Sequence, residues 1–158
     1  MQTKRATPSS RPSKAALAAE AWRSIFDFIV LTSGHRIAVL GRLGLTPNDS
    51  RALVSLDLSV GRTMRSLASE WNCDASTATW IVDRLEAKGL AERRSDPRDR
   101  RVKLVVLTAR GASTRDEMIA GTYTPPPELL SLDADQLRSL RDAVRELPGA
   151  ARPSRMSA

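Results

Sequence analysis

The feature that most constrains this chain is a change of hydrophobic period near residue 89. Before it, Met64, Leu67, Ala68 and Trp71 recur at helical spacing. After Asn72-Cys73-Asp74-Ala75, the residues Ala78, Ile81, Val82 and Leu85 do the same. An interruption that short is a tight turn, with Asp74 or Ser76 able to cap the second helix. Lys88-Gly89 suits a left-handed helix stop. Beyond it, residues 90–95 and 102–108 read as strands with period two, joined by the charged loop Asp96-Pro97-Arg98-Asp99-Arg100-Arg101. Two short helices around a turn, with a hairpin directly behind them, form a helix-turn-helix followed by a small β element.

The flanks are helical. Ala18, Trp22, Ile25, Phe26 and Ile29 line one face of a helix starting near Ser13. Ser33-Gly34 interrupts it, an apolar run resumes from Ile37 to Leu40, and Gly41 and Gly44 break that run. Thr46-Pro47-Asn48-Asp49 is a helix start, in which Thr46 caps and Asp49 favours the positive end of the dipole. After the hairpin, Thr108 caps a helix reaching about Ala120, where Gly121 and Pro125-Pro126-Pro127 stop it. A last helix opens at Asp133 with Gln136 as capping-box partner. It places Leu137, Leu140, Val144 and Leu147 on a narrow seam suited to packing along another helix. The expected fold class is therefore mainly α with a small β-hairpin (α+β). Residues 1–13 and 148–158 are Pro/Ser-rich and basic and read as disordered tails.

Composition narrows the function. The chain has 158 residues, with 25 Lys+Arg against 18 Asp+Glu and a net charge of +7, which favours a polyanionic partner. The surplus is concentrated: residues 93–103 hold six cations and two carboxylates. One cysteine and one histidine leave no internal disulfide and no Cys- or multi-His metal site, so no metal or cofactor is expected. No Gly-rich phosphate loop occurs, and no Ser-His-Asp or paired-carboxylate arrangement is compelling, so an enzyme is not expected. Charge-free stretches reach only about ten residues, short of a membrane span, and no signal-peptide core is visible. The expected setting is cytoplasmic. Cys73, in the turn, reads as a small packing residue rather than a redox sensor, and His35 as structural or surface rather than an effector contact.

The stretch from Met64 to Gly111 resembles the winged helix-turn-helix of the MarR family of transcriptional regulators. The motifs are the helix pair MRSLASEWNCDASTATWIVDRLEAKGL, the wing RRSDPRDRRVKLVVLT with its D-x-R-D-x-R pattern at Asp96, Arg98, Asp99 and Arg101, and the closing Thr-Ala-Arg-Gly. The resemblance implies a winged helix-turn-helix over residues 46–110. It also implies a dimerisation lobe built from 14–45 and 111–147, with Leu137, Leu140, Val144 and Leu147 on its seam. The prolines after the wing depart from the long continuous helix common in the family.

Such a protein would bind a pseudo-palindromic operator in double-stranded DNA as a homodimer, repressing rather than activating. A small aromatic or anionic ligand would lodge between the lobes, with Trp22 and Phe26 lining that space or, in the preferred reading, lying in core or seam. A recognition helix reads base edges with its N-terminal residues, here Ser76, Thr77, Thr79 and Trp80. Arg84, one turn on, is placed for a phosphate. In the wing, Arg98 would enter the minor groove, as arginines do, with Arg100 and Lys103 also on DNA. Asp96, Asp99 and Arg101 would brace the loop, the family pattern pairing Asp96 with Arg101. The competing readings are a winged-helix module for protein partners and a non-specific nucleic-acid binder.

Overall fold

A computed structural model describes residues 12–148. The expected tails at 1–13 and 148–158 fall almost wholly outside these residues, and only their inner edges are seen. Ser13, assigned to the first tail, is the N-cap of α1 (Lys14–Leu31), accepting from the Ala16 amide at 3.2 Å. The break before α2 (Ser33–Arg42) is a single residue, Thr32, whose hydroxyl donates to the Phe28 carbonyl at 2.7 Å. Gly34 and Gly41, expected to interrupt, both lie inside α2. Then follow α3 (Pro47–Ser55), β1 (Arg62–Thr63), α4 (Met64–Trp71), α5 (Ala75–Ala87), β2 (Ala91–Ser95), β3 (Lys103–Leu107) and α6 (Ala109–Tyr123). A 3-10 turn over Pro127–Ser131 leads to α7 (Ala134–Arg145).

The helix-turn-helix forms as its sequence dictates. The turn is closed by Asn72 in the left-handed conformation, and Asp74 caps α5. Leu67 and Trp71 of α4 are buried against Ala78, Ile81, Val82 and Leu85 of α5. Gly89, at φ +66°, ends α5 as a left-handed stop. The hairpin β2–β3 pairs Ala91 with Leu107 through Ser95 with Lys103, and β1 adds to the far side of β3, giving the antiparallel order β1-β3-β2. Strand β1 carries no signal in the sequence. A two-residue strand has no period to detect, and its pairing with Leu104 and Val105 is decided by tertiary contact.

Two further features differ from expectation. Helix α6 runs through Gly121 to Tyr123 and stops only at the prolines. The glycine serves packing: a Cβ there would meet Val39 Cγ1 at 2.9 Å, and its carbonyl lies 3.1 Å from His35 Nε2. The hydrophobic core also extends past the expected limits of residues 46 and 110. Leu40 and Leu45 on one side, and Ala112 and Met118 on the other, join Leu53, Leu67, Leu85, Val105 and Leu107 in one cluster.

The terminal helices remain outside that core. Neither α1 nor α7 buries a single residue. Helix α1 packs only at its junction with α2, and α7 makes no substantial contact with another element among the described residues. Trp22 is 64% exposed, with its ring 6.3 Å from that of Phe26, so these residues line no core. By length and composition Lys14–Arg42 could cross a membrane. Its polarity is one-sided, however. Glu20, Arg23 and Asp27 line one stripe and Ala18, Trp22, Ile25 and Ile29 the other, whereas a helix surrounded by lipid is apolar all round.

Candidate nucleic-acid interface

The exposed edge of α5 begins at its cap. Asp74 accepts from the Thr77 amide at 2.7 Å, the Ser76 hydroxyl at 2.6 Å and the Thr77 hydroxyl at 3.1 Å. The Ser76 hydroxyl bond, the Thr77 amide and the Thr77 hydroxyl hold its pKa down at about 2, so the cap is ionised at neutral pH. Thr79 donates to the Ala75 carbonyl at 2.8 Å. The three hydroxyls thus spend their protons within the helix and present lone pairs outward. That arrangement suits donors such as base amino groups better than phosphate oxygens.

Trp80 lies on the same exposed edge, 52% accessible. Arg84 does not stand free beside it, as the sequence reading supposed. Its guanidinium carbon lies 4.8 Å over the Trp80 ring, and a terminal nitrogen meets Asp49 Oδ2 at 2.6 Å. Lys88 Nζ meets the same oxygen at 2.9 Å and also bonds the Gly44 carbonyl. Asp49 is fully buried, and its Oδ2 further accepts from the Thr46 amide at 2.9 Å as part of a capping box. Burial alone would push this carboxyl up. The Lys88 bond, the Thr46 amide and the two positive charges outweigh it and hold the pKa below the ordinary value. Nothing in local sequence signals the cluster, because its members are 35 and 39 residues apart.

The wing is fixed to α5 at its base and free at its tip. Arg93 on β2 bonds Asp83 at 2.7 Å and Glu86 on α5, and its backbone amide donates to Glu86 at 2.8 Å. Arg94 pairs with Glu92 beside it. Two of the six cations in residues 93–103 are therefore compensated. At the tip, Asp96 accepts from the Arg98 amide at 2.8 Å, and Asp99 from the Arg101 amide at 2.9 Å. The Asp96 amide donates to Val102 and the Val102 amide to Asp99. The loop is thus braced by carboxylate-to-backbone turns. The expected Asp96–Arg101 ion pair is absent: backbone amides two residues on reach the carboxylates first. Among the described residues Arg98, Arg100 and Arg101 are exposed with no ion pair, and Lys103 donates to Ser95 at 2.8 Å.

Between α2, α3 and α6 lies a cleft of about 870 Å³. Leu40, Val54, Met118 and Ile119 give it apolar walls, and Arg36, Arg51 and Arg115 stand against Asp57 and Asp116, with Arg115 paired to Asp116, for a net charge of +1. Neither Trp22 nor Phe26 lines it. No cluster of three or more His, Cys, Asp or Glu is placed to hold a metal ion among the described residues.

Comparison with known proteins agrees with this architecture. No curated protein sequence matches the chain. Residues 43–102 match the model of the MarR family. Among solved structures, YusO from Bacillus subtilis is similar, with a TM-score of 0.72 and 25% identity over 89% of this chain and 100% of its own. MarR from E. coli, in its apo form, has a TM-score of 0.61 and 25% identity over 78% of this chain and 93% of its own. An S. aureus MepR–DNA complex has a TM-score of 0.60 and 18% identity over 77% and 97% respectively. Residues 43–102 thus match the MarR family, and over most of its length the chain shares the MarR-type winged helix-turn-helix fold of these structures.

Proposed function

We propose that this protein is a sequence-specific, double-stranded-DNA-binding transcription regulator and not an enzyme. It works in the cytoplasm as a homodimer and represses until a small ligand releases it. The observation that carries the reading is the pairing of an exposed recognition edge of hydroxyls and one indole on α5 with a rigid wing whose tip holds three unpaired arginines. Ser76, Thr77, Thr79 and Trp80 face base edges in the major groove. Arg98 enters the minor groove, and Arg100 and Lys103 meet phosphates. Arg93 fixes the angle between the two. The shared fold of S. aureus MepR, solved with DNA, supports the same mode of use.

Dimerisation rests on the unpartnered faces of α1 and α7. Trp22, Phe26, Ile29, Leu140, Val144 and Leu147 are all at least 40% exposed. Covering such side chains is worth on the order of 1.5–3 kcal/mol each when complete. The seam expected at Leu137, Leu140, Val144 and Leu147 is thus available to a second copy. Two-fold symmetry then sets two α5 helices against half-sites about one helical turn apart. The cleft between α2, α3 and α6 has a volume typical of small-molecule sites and suits an anion with an apolar body. A mobility-shift titration with promoter DNA of a neighbouring gene tests the reading. Retardation should survive excess unrelated duplex; equal competition by unrelated duplex would refute sequence specificity.

A further inference from the structure

Each charged side chain on the second half of α5 has an ion-pair partner within the protein. Asp83 and Glu86 face Arg93 of the wing. Arg84 and Lys88 face Asp49 of α3, whose side chain is wholly buried while theirs are 29% and 31% exposed. The Arg84–Lys88–Asp49 cluster keeps a net charge of +1, but both of its cations are tethered to the buried carboxylate and neither stands free toward DNA. A free cation there would contact phosphate on any sequence and raise non-specific affinity. The same Asp49 bond also holds Arg84 over Trp80, limiting how that ring can turn at the groove.

We propose that Asp49 is a specificity-determining residue that acts at one remove: it withholds Arg84 and Lys88 from the phosphates and, through Arg84, fixes the Trp80 face. Asp49 touches no DNA in this account; it is a positioning residue. The proposal rests on the DNA-binding reading above. It predicts that the recognition helix contributes discrimination and the wing contributes most of the salt-dependent attraction.

The test is the salt dependence of binding to a selected site and to a random duplex, over about 50–200 mM salt. Asp49→Asn keeps the shape but cannot hold two cations. It should steepen the slope of log K against log salt on random duplex by about 0.9 per released cation. The ratio of specific to random affinity should fall tenfold or more, and Arg84→Met in the same chain should reverse part of the slope change. A folded D49N protein with unchanged slope and ratio overturns the proposal. If D49N does not fold, R84M alone decides. An unchanged slope with weakened specific binding supports sequestration. A slope reduced by about 0.9 would mean that Arg84 already contacts phosphate, which overturns it. A wild-type protein that does not distinguish the two duplexes refutes the DNA-binding reading itself, a separate result.

Discussion

Single side chains at the wing tip make separable predictions. Arg98→Ala should weaken binding to a specific site and reduce the salt slope by about 0.9; unchanged affinity would remove Arg98 from the interface. Asp99 holds its loop through a backbone amide, so Asp99→Asn, which keeps an acceptor, should bind DNA nearly as well as wild type. Asp99→Ala should not, and if both variants lose binding equally the charge itself is what matters. At the cap of α5 the Asp74 carboxyl has its pKa lowered to about 2 in the fold. A depressed carboxylate stabilises the folded state above its ordinary pKa near 4, and that contribution is lost as pH falls toward 2. The protection factors of amides in the first turn of α5, exchange rates taken relative to the unfolded chain at the same pH, should therefore change little down to pH 5 and fall below pH 4. Loss of protection between pH 7 and 5 would assign the effect to another group.

At the level of elements, the join of the wing to α6 leaves no room for a side chain at Gly111. A Cβ on Gly111 would lie 1.8 Å from the Leu90 carbonyl oxygen, while Thr108 caps the helix and donates to the Gly89 carbonyl at 2.7 Å. Gly111→Ala should cost at least about 1–3 kcal/mol, read as a lower urea midpoint. A neutral result would mean that α6 can slide on its neighbour. Most of these elements were legible in sequence because their signals are local. The stripe Ala78-Ile81-Val82-Leu85, the cap at Asp74 and the stop at Gly89 each depend on residues within a turn or two. What was not legible depends on distant partners. Asp49 reads as an ordinary first-turn acid until α5 brings two cations to it. Arg93 reads as surplus wing charge until Asp83 and Glu86 face it. Gly121 reads as a helix breaker until Val39 is seen against it.

For the whole molecule, the +7 charge and the apolar terminal helices describe two different surfaces. Much of the charge near the hairpin is spent within the protein, and the unpaired remainder at residues 98–101 is narrow. The apolar faces of α1 and α7 are broad and largely unpartnered within the chain. Leu140→Asp together with Val144→Asp should shift sedimentation from dimer to monomer and weaken operator binding, since two half-sites would no longer be engaged as a unit. A double variant that still sediments as a dimer would move the seam elsewhere. Selection of bound sites from a random DNA pool decides whether a two-fold dimer reads duplex sequence. A dimer of this fold should enrich a pseudo-palindrome whose half-sites lie about one helical turn apart. A pool that stays unenriched after repeated rounds, or that yields a single unrepeated half-site, would contradict it.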